Sequence, residues 1–510
     1  MKHSKLVLSI LVLIGVLATE VWADDHGDDW ENPTQISLFD YESGKLDLDG
    51  DVDMFRVYLH DGFTYHIVAG QFYTQVDMRL FDASGTDEVN SDLNTSEPYI
   101  SFQCTNSSYY YISLQSLETL ENSYDSYELW VGEFKAPNPG PWQRQTSRTP
   151  ETSDYGTTDM GYAVALTGDT MAVGMPGEDS LPSGAYGYNS GKVAIYGYSG
   201  SNWYRSQEIE PRDNEQNDRF GYSVGLSDSV MAVGAPYDSN TTNTEAGSAY
   251  IYELVSGSWE EQEKVGSDLM LLGKPGEHFG QAVAASEDTV VIGAPRNSDN
   301  GTNSGAAYVF TKIEGRWRFL TKFTEPAPDE NNYFGSSVAI DDDTMAIGAD
   351  FSDVSGPFYG AVYVYKRTNG SWYHVDTLTA SDGSYAEFGS SIDISQNKIV
   401  VGAPRDNIFN SYGTDSGSAY VFAEVGGQWI EEDKLTPSWG IGFQRFGDTV
   451  AIDKNTVVVG NGAASRLWAG ITVFRYTNGS WEQTGQPIGN DTLVFDRFGW
   501  AVDISGNIIA

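Results

Sequence analysis

The chain of 510 residues is 40% hydrophobic and 13% aromatic and holds 55 glycines, a composition of folded, turn-rich structure that is too long for one ordinary core. Its 72 acidic against 29 basic residues give a formal net charge of -43, which repels phosphate backbones and anionic headgroups and excludes nucleic acid as an expected partner. Charge spread in this way suits a soluble surface in a salty or extracellular medium.

Lys2 and Lys5 precede an apolar run over 6–17, and Val21-Trp22-Ala23 stands before Asp24. This reads as a signal peptide over 1–23, cut after Ala23. The run is short for a bilayer span, and no later stretch is long and apolar enough for one. A secreted, extracellular or cell-surface location is expected, with no membrane-spanning segment after the leader. Cys104 is the single cysteine, so no internal disulfide can form and burial or bound ions must supply stability.

Residues 24–135 form one compositional unit. Alternation over 53–59, 65–68 and 78–82, broken by Gly and Asp turns, predicts antiparallel strands. Ala136-Pro137-Asn138-Pro139-Gly140-Pro141 cannot continue a helix or a central strand, so 136–141 is read as a linker. The acidic start (Asp24, Asp25, Asp28, Asp29), then Gly50-Asp51-Val52-Asp53-Met54-Phe55, Leu80-Phe81-Asp82 and the Tyr109-Tyr110-Tyr111-Ile112 strand resemble the bacterial pre-peptidase C-terminal domain. That resemblance implies a small jelly-roll-like β-sandwich over 24–135. It also implies that calcium is possible there, with Asp25, Asp28, Asp49 and Asp51 as conceivable oxygen ligands; solvated turn carboxylates are the simpler reading.

From Trp142 the sequence repeats itself. One unit runs from Trp203 through Phe220-Gly221 and Gly234-Ala235-Pro236 to Gly247-Ser248-Ala249-Tyr250. The Phe-Gly pair recurs at Phe279-Gly280, Phe334-Gly335, Phe388-Gly389, Phe446-Gly447 and Phe498-Gly499, with Met160-Gly161 in its place at the first unit. The second landmark recurs as Gly293-Ala294-Pro295 and Gly402-Ala403-Pro404, and in altered form as Gly174-Met175-Pro176, Gly348-Ala349-Asp350 and Gly460-Asn461-Gly462. Tryptophans open the seven units at 142, 203, 259, 317, 372, 429 and 481. A unit of this length supplies a four-stranded sheet that cannot bury both faces alone, so the sheets must stack around an axis as a propeller. Glycine lets backbones approach where inner strands crowd, and tryptophan supplies apolar area between blades.

These landmarks are the FG-GAP signature, and 142–510 resembles the integrin α-subunit propeller. The expected fold is all-β: a seven-bladed β-propeller preceded by the small sandwich. If each opening tryptophan lies on the fourth strand of the preceding blade, the Trp142 segment is left over to complete blade seven. The last unit stops at Asn507-Ile508-Ile509-Ala510, where the others continue into their second landmark, so the last blade is expected to be truncated.

The resemblance implies a calcium loop between the first two strands of a blade, but here those links are clipped, as at 226–230, 285–289 and 394–398. A few residues cannot deliver six or more oxygens. Asp341-Asp342-Asp343 lacks the spacing, so no metal and no cofactor is expected in the propeller. Length gathers in the links from strand two to three and from four to one, which share a face because strands alternate direction. That face is the expected binding surface, with Tyr237, Asp238, Arg296, Phe358, Tyr359, Arg405, Asp406, Phe409 and Tyr412 as candidate ligand-binding residues. Packing of the loops would equally explain them. No catalytic motif is present: there is no serine elbow, His-Glu-x-x-His or thiol-histidine arrangement. The expectation is a non-enzymatic recognition or adhesion protein for an extracellular protein or glycan ligand. The alternatives are a secreted propeller hydrolase or lyase using channel carboxylates, or the display module of a longer secreted protein.

Overall fold

The chain divides between Asn138 and Pro139 into two compact units, a break that falls within the Pro/Gly segment. The computed structural model describes the ten strands within residues 1–138 and, in the second unit, residues 159–178, 189–200, 202–213, 215–239, 245–266, 275–354, 359–382, 386–406, 416–437, 445–461, 470–485 and 498–510. Among the described residues every regular element is a strand.

The N-terminal unit holds two five-stranded sheets. One runs in the order Val7–Ile10, Asp40–Leu46, Asp125–Phe134, Thr64–Gly70, Tyr99–Gln103. The other runs Thr34–Ile36, Val52–Leu59, Ser108–Ser116, Val76–Phe81, Glu88–Thr95. Met78 and Leu80 alternate with half-exposed Arg79, and together with Phe55 and Ile112 they are buried, as period-two strands with one covered face require.

The second unit is a ring of sheets. Blade 2 is typical: Ser223–Leu226, Val230–Ala235, Ser248–Val255 and Ser258–Gly266, each antiparallel to the next. Six such four-stranded blades begin at Ala163–Thr167, Ser223–Leu226, Ala282–Ala285, Val338–Asp341, Ile392–Ser395 and Thr449–Asp453. A seventh sheet pairs Ile504–Ser505 with Ile508–Ile509. First strands of successive blades touch around the whole circle, and the seventh touches both the sixth and the first.

Each core lies between blades rather than inside one. Val193, Ile195 and Ile209 of blade 1 cluster with Phe220, Val233, Tyr250 and Trp259 of blade 2, and the same holds at every later joint described. The repeat tryptophans lie on fourth strands, as Trp259 does in Ser258–Gly266, so sequence unit and blade are staggered by one strand. Their indoles are buried, and two of them donate across the joint, Trp317 Nε1 to Glu253 at 2.9 Å and Trp481 Nε1 to Glu432 at 3.0 Å. The buried Nε1 atoms of Trp372 and Trp429 have no such partner. Trp142 lies outside the described residues.

The glycine landmarks sit back to back across the six joints from blade 1 to blade 7. A Cβ on Gly234 would stand 2.0 Å from the carbonyl oxygen of Gly280, and one on Gly402 would stand 2.0 Å from that of Gly447. The pairs 174/221, 293/335, 348/389 and 460/499 repeat the contact. No side chain fits there, which is why both landmarks contain glycine.

Side chains of the innermost strands then stitch blade to blade. Ser391 Oγ, Asp393 Oδ2 and Ser395 Oγ in blade 5 accept from the backbone N–H groups of Val450, Ile452 and Lys454 in blade 6, at 3.1, 2.7 and 3.0 Å. The same device closes the circle, because Asp503 Oδ2 accepts from Leu166 N at 2.6 Å and Ser505 Oγ from Gly168 N at 3.0 Å. Blade 7 thus presents to blade 1 the serine-and-aspartate pattern that blade 5 presents to blade 6, and Ile508 and Ala510 pack on the blade 1 core.

Two measurements test this account. Gly402→Ala is expected to cost about 3 kcal/mol of unfolding free energy in urea, since overpacking against backbone has no flexible neighbour to yield. Gly257→Ala, whose added carbon meets nothing within 4 Å, is expected to lose only about 1 kcal/mol, the penalty of a left-handed φ. The second concerns pH. Burial and the Asp503 charge push Asp393 well above the usual aspartate range, burial raises Asp503 likewise, and burial with the Asp238 charge lifts Asp218 to about 7. The folded state therefore holds protons that the unfolded chain releases near about pH 4. The resulting stability is complete below that value and is lost as pH rises through about 7. The thermal midpoint should be a few degrees higher at about pH 5 than at about pH 8, with the gap reduced in Asp218→Asn; a midpoint that climbs with pH would contradict it.

Candidate functional site

The turn that carries each Phe-Gly pair brings the chain from an outer fourth strand back to the innermost strand of the next blade. The residue before the phenylalanine is left-handed at Arg219 (φ 55), His278 (φ 54), Tyr333 (φ 54), Glu387 (φ 51) and Arg445 (φ 50). Non-glycine residues pay for that region with strain, and it persists only where surroundings fix it. Here the phenylalanine is the anchor: Phe220, Phe334 and Phe388 are fully buried, and each bridges a glycine of the preceding blade. The link from strand two to three of one blade bonds to the turn of the next, as in Arg219 N to Asn189 O and Tyr333 N to Asn303 O, both 3.1 Å. The two loop classes therefore share a face, as strand alternation requires.

On that face, aromatic rings from different repeats meet in one arc around the start of the innermost strands. Trp500 lies 5.9 Å from Tyr162, Tyr162 lies 4.8 Å from Tyr222, Tyr222 lies 6.0 Å from Tyr237, and Tyr237 lies 4.9 Å from His278, centroid to centroid. The Arg219 guanidinium sits 4.9 Å above the Tyr237 ring, within cation–π range. Apart from buried His278, these rings are half-buried. Burial pushes Tyr162 and Tyr237 upward, while burial and the Arg296 charge push His278 downward, which in each of the three favours the neutral form. The corresponding region of blades 5 and 6 is ionic instead: Glu387 pairs with Arg405 at 3.0 Å and with Arg445 at 3.7 Å, and Arg445 pairs with Asp448 at 2.9 Å.

The candidate residues read from sequence divide into three groups. Tyr237 belongs to the arc, Arg296 is exposed beside His278, Tyr359 is half-buried with its carbonyl on Phe388 N at 3.1 Å, and Arg405 holds Glu387. Asp238 and Asp406 are buried beneath the face: Lys264 reaches Asp238 at 2.6 Å, and Lys434 reaches Asp406 at 2.6 Å, where Tyr420 OH and Ser418 Oγ also donate at 2.8 and 2.5 Å. These two carboxylates organise their blades. Asn297 holds the equivalent place in blade 3, accepting from Lys322 at 3.1 Å. Phe358, Phe409 and Tyr412 lie outside the described residues.

Sequence reasoning missed Tyr162, Tyr222, His278, Tyr333 and Trp500. They flank the Phe-Gly pairs, and a usable signal existed: aromatic residues directly before or after a landmark whose own positions are fixed by packing.

The clipped links between first and second strands, such as residues 227–229 and 286–288, do not fit an integrin-type calcium loop. Asp341 and Asp343 are engaged already, Asp341 Oδ2 accepting from Gln396 N at 2.5 Å and Asp343 pairing with Arg367 at 2.6 Å. Among the described residues no group of three or more His, Cys, Asp or Glu side chains gathers as a metal site. Asp25, Asp28, Asp49 and Asp51 lie outside the described residues. Among those residues, too, no helix is long and apolar enough to cross a membrane.

The FG-GAP repeat family matches residues 203–252, 269–310, 317–365, 372–422 and 429–470. Integrin alpha-6 of Gallus gallus is 26% identical over 215 residues, covering 38% of this chain and 18% of the relative, so the match spans less than a fifth of that protein. Among solved structures, the pre-peptidase C-terminal domain of a Bacillus anthracis collagenase is 20% identical, with a TM-score of 0.17, over 19% of this chain and 91% of that one. A periplasmic gluconolactonase of Pseudomonas aeruginosa is 11% identical, with a TM-score of 0.38, over 83% of this chain and 96% of that one. Five matched repeats, with the landmark glycines in contact at six joints, make the second unit of this chain a propeller of FG-GAP repeats.

Proposed function

We propose that this is a secreted or cell-surface recognition protein of the adhesion type, which binds an extracellular protein or glycan through the loop-bearing face of its propeller. The observation that carries the reading is the half-buried aromatic arc from Trp500 to His278. Large rings held rigid by a closed ring of sheets lose little entropy on contact, which is what binding hot spots require. Arg296, Tyr359 and Arg405 extend the contact outward from the arc. Asp238 and Asp406 act from below, by fixing the loops that carry Tyr237 and Arg405. The leader-like N-terminus and the acidic composition support export and solubility rather than a phosphate-bearing partner.

A hydrolase or lyase would need a carboxylate free to exchange a proton with substrate. Asp393 and Asp503, half-buried on the innermost strands, use both oxygens on backbone N–H groups, those of Ile394 and Ile452 and those of Ile504 and Leu166. This favours a structural role for them and binding as the function of the face.

Arrays of glycans and extracellular proteins, probed with the full chain, test the reading. Specific binding is expected, weakened about tenfold or more by Tyr222→Ala, with an unchanged thermal midpoint. Turnover of a polysaccharide or peptide substrate that disappears in Asp503→Asn, while the fold persists, would instead make the protein an enzyme.

A further inference from the structure

Blade 4 departs from its neighbours at one place. Where blades 2, 3 and 5 carry Pro236, Pro295 and Pro404 after the Gly-Ala pair, blade 4 carries Asp350. Proline at this turn offers no side-chain hydrogen bond; aspartate brings a carboxylate into a tight backbone crossing. It opens onto a cavity of about 370 Å³ lined by Gln281, Asn331, Tyr333, Ser336, Asp350 and Phe351, a volume at the lower end of small-ligand sites. Asp350 Oδ1 and Ser336 Oγ are buried there beside one another, and neither completes a well-formed hydrogen bond. Leaving such atoms unpaired costs on the order of 1–3 kcal/mol each, a cost that a bound ligand with hydroxyl groups would remove.

The remaining walls fit that ligand. Tyr333 and Phe351 stand edge to face, 5.5 Å between centroids, and both are half-buried, so they offer apolar surface to the C–H face of a ring. The side-chain amides of Gln281 and Asn331 each contain a donor and an acceptor, as each sugar hydroxyl does. Charge argues for a neutral guest. Burial and the Glu387 charge push the Asp350 carboxyl up to about 7, so it can donate as an acid or accept as a carboxylate near neutrality. Glu387 is itself balanced by Arg405 and Arg445, so the pocket is not a strongly anionic trap for an amine or guanidinium.

We propose that the cavity between blades 3 and 4, with Asp350 and Ser336 at its floor and Tyr333 and Phe351 at its wall, is a subsite for one neutral sugar ring of a glycan ligand. This deepens the recognition reading above and rests on it.

Saturation-transfer NMR on the full chain with galactose, glucose, mannose and N-acetylglucosamine as free probes tests it, alongside the glycan array. At least one of these sugars is expected to bind. Asp350→Pro, which restores the residue found in the neighbouring blades, and Phe351→Ala should each weaken that binding at least tenfold. Loss in both variants with unchanged thermal midpoints supports the subsite. If no probe binds, if binding survives Asp350→Pro, or if a Lys- or Arg-bearing peptide binds through Asp350 in place of a sugar, the subsite is overturned. Array binding that falls in Tyr222→Ala but not in Asp350→Pro would keep the recognition function and remove the subsite, whereas no array binding at all would remove both.

Discussion

The contact on which the propeller depends is backbone against backbone: the glycine that ends each second strand lies against the glycine that follows the next blade's phenylalanine. With a would-be Cβ only 2.0 to 2.3 Å from a carbonyl oxygen at six of the seven joints, any side chain would wedge two blades apart. This close approach sets the pitch from sheet to sheet. It lets the phenylalanine enter the joint, and it forces the residue before it into a left-handed conformation. The most constrained point in the fold thereby fixes the direction of the residues that flank it, which are the ones that form the aromatic arc.

Because every apolar cluster is shared by two sheets, no blade is stable by its own burial, and the ring must be closed to hide its last face. Closure uses the innermost strands. Serine and aspartate side chains take the place of a β-ladder between neighbouring blades, accepting N–H groups that would otherwise be unpaired in a crowded centre. Using buried carboxylates for this purpose has an electrostatic consequence. They resist ionisation where water is excluded, so a chain with a net charge of -43 carries part of its acidity in a form that neutral pH disfavours.

The face used for recognition is asymmetric although the scaffold repeats. From blade 7 through blade 4 the positions beside the landmarks are mostly aromatic, whereas in blades 5 and 6 they form a network of Glu387, Arg405, Arg445 and Asp448. The scaffold tolerates this because those side chains point away from the glycine contacts and take no part in the inter-blade cores. Asp350 goes one step further, altering a landmark itself and placing a carboxyl group where its neighbours have a proline ring.

Blade number, the stagger between repeat and sheet, the structural use of glycine and tryptophan, and the shared face of the long links were all legible in the sequence. Each follows from a local pattern repeated seven times in one frame. The roles of individual residues on that face were not. Asp238 and Asp406 read as candidate ligand contacts or as loop packing, and it is Lys264 and Lys434 on the fourth strands that hold them inside. Tyr162 and Trp500, and Leu166 and Asp503, stand more than three hundred positions apart and meet only because the ring closes. Periodicity encodes which way a side chain leaves its own strand; which neighbour it finds depends on the curvature summed over every blade, and only the tertiary structure contains that.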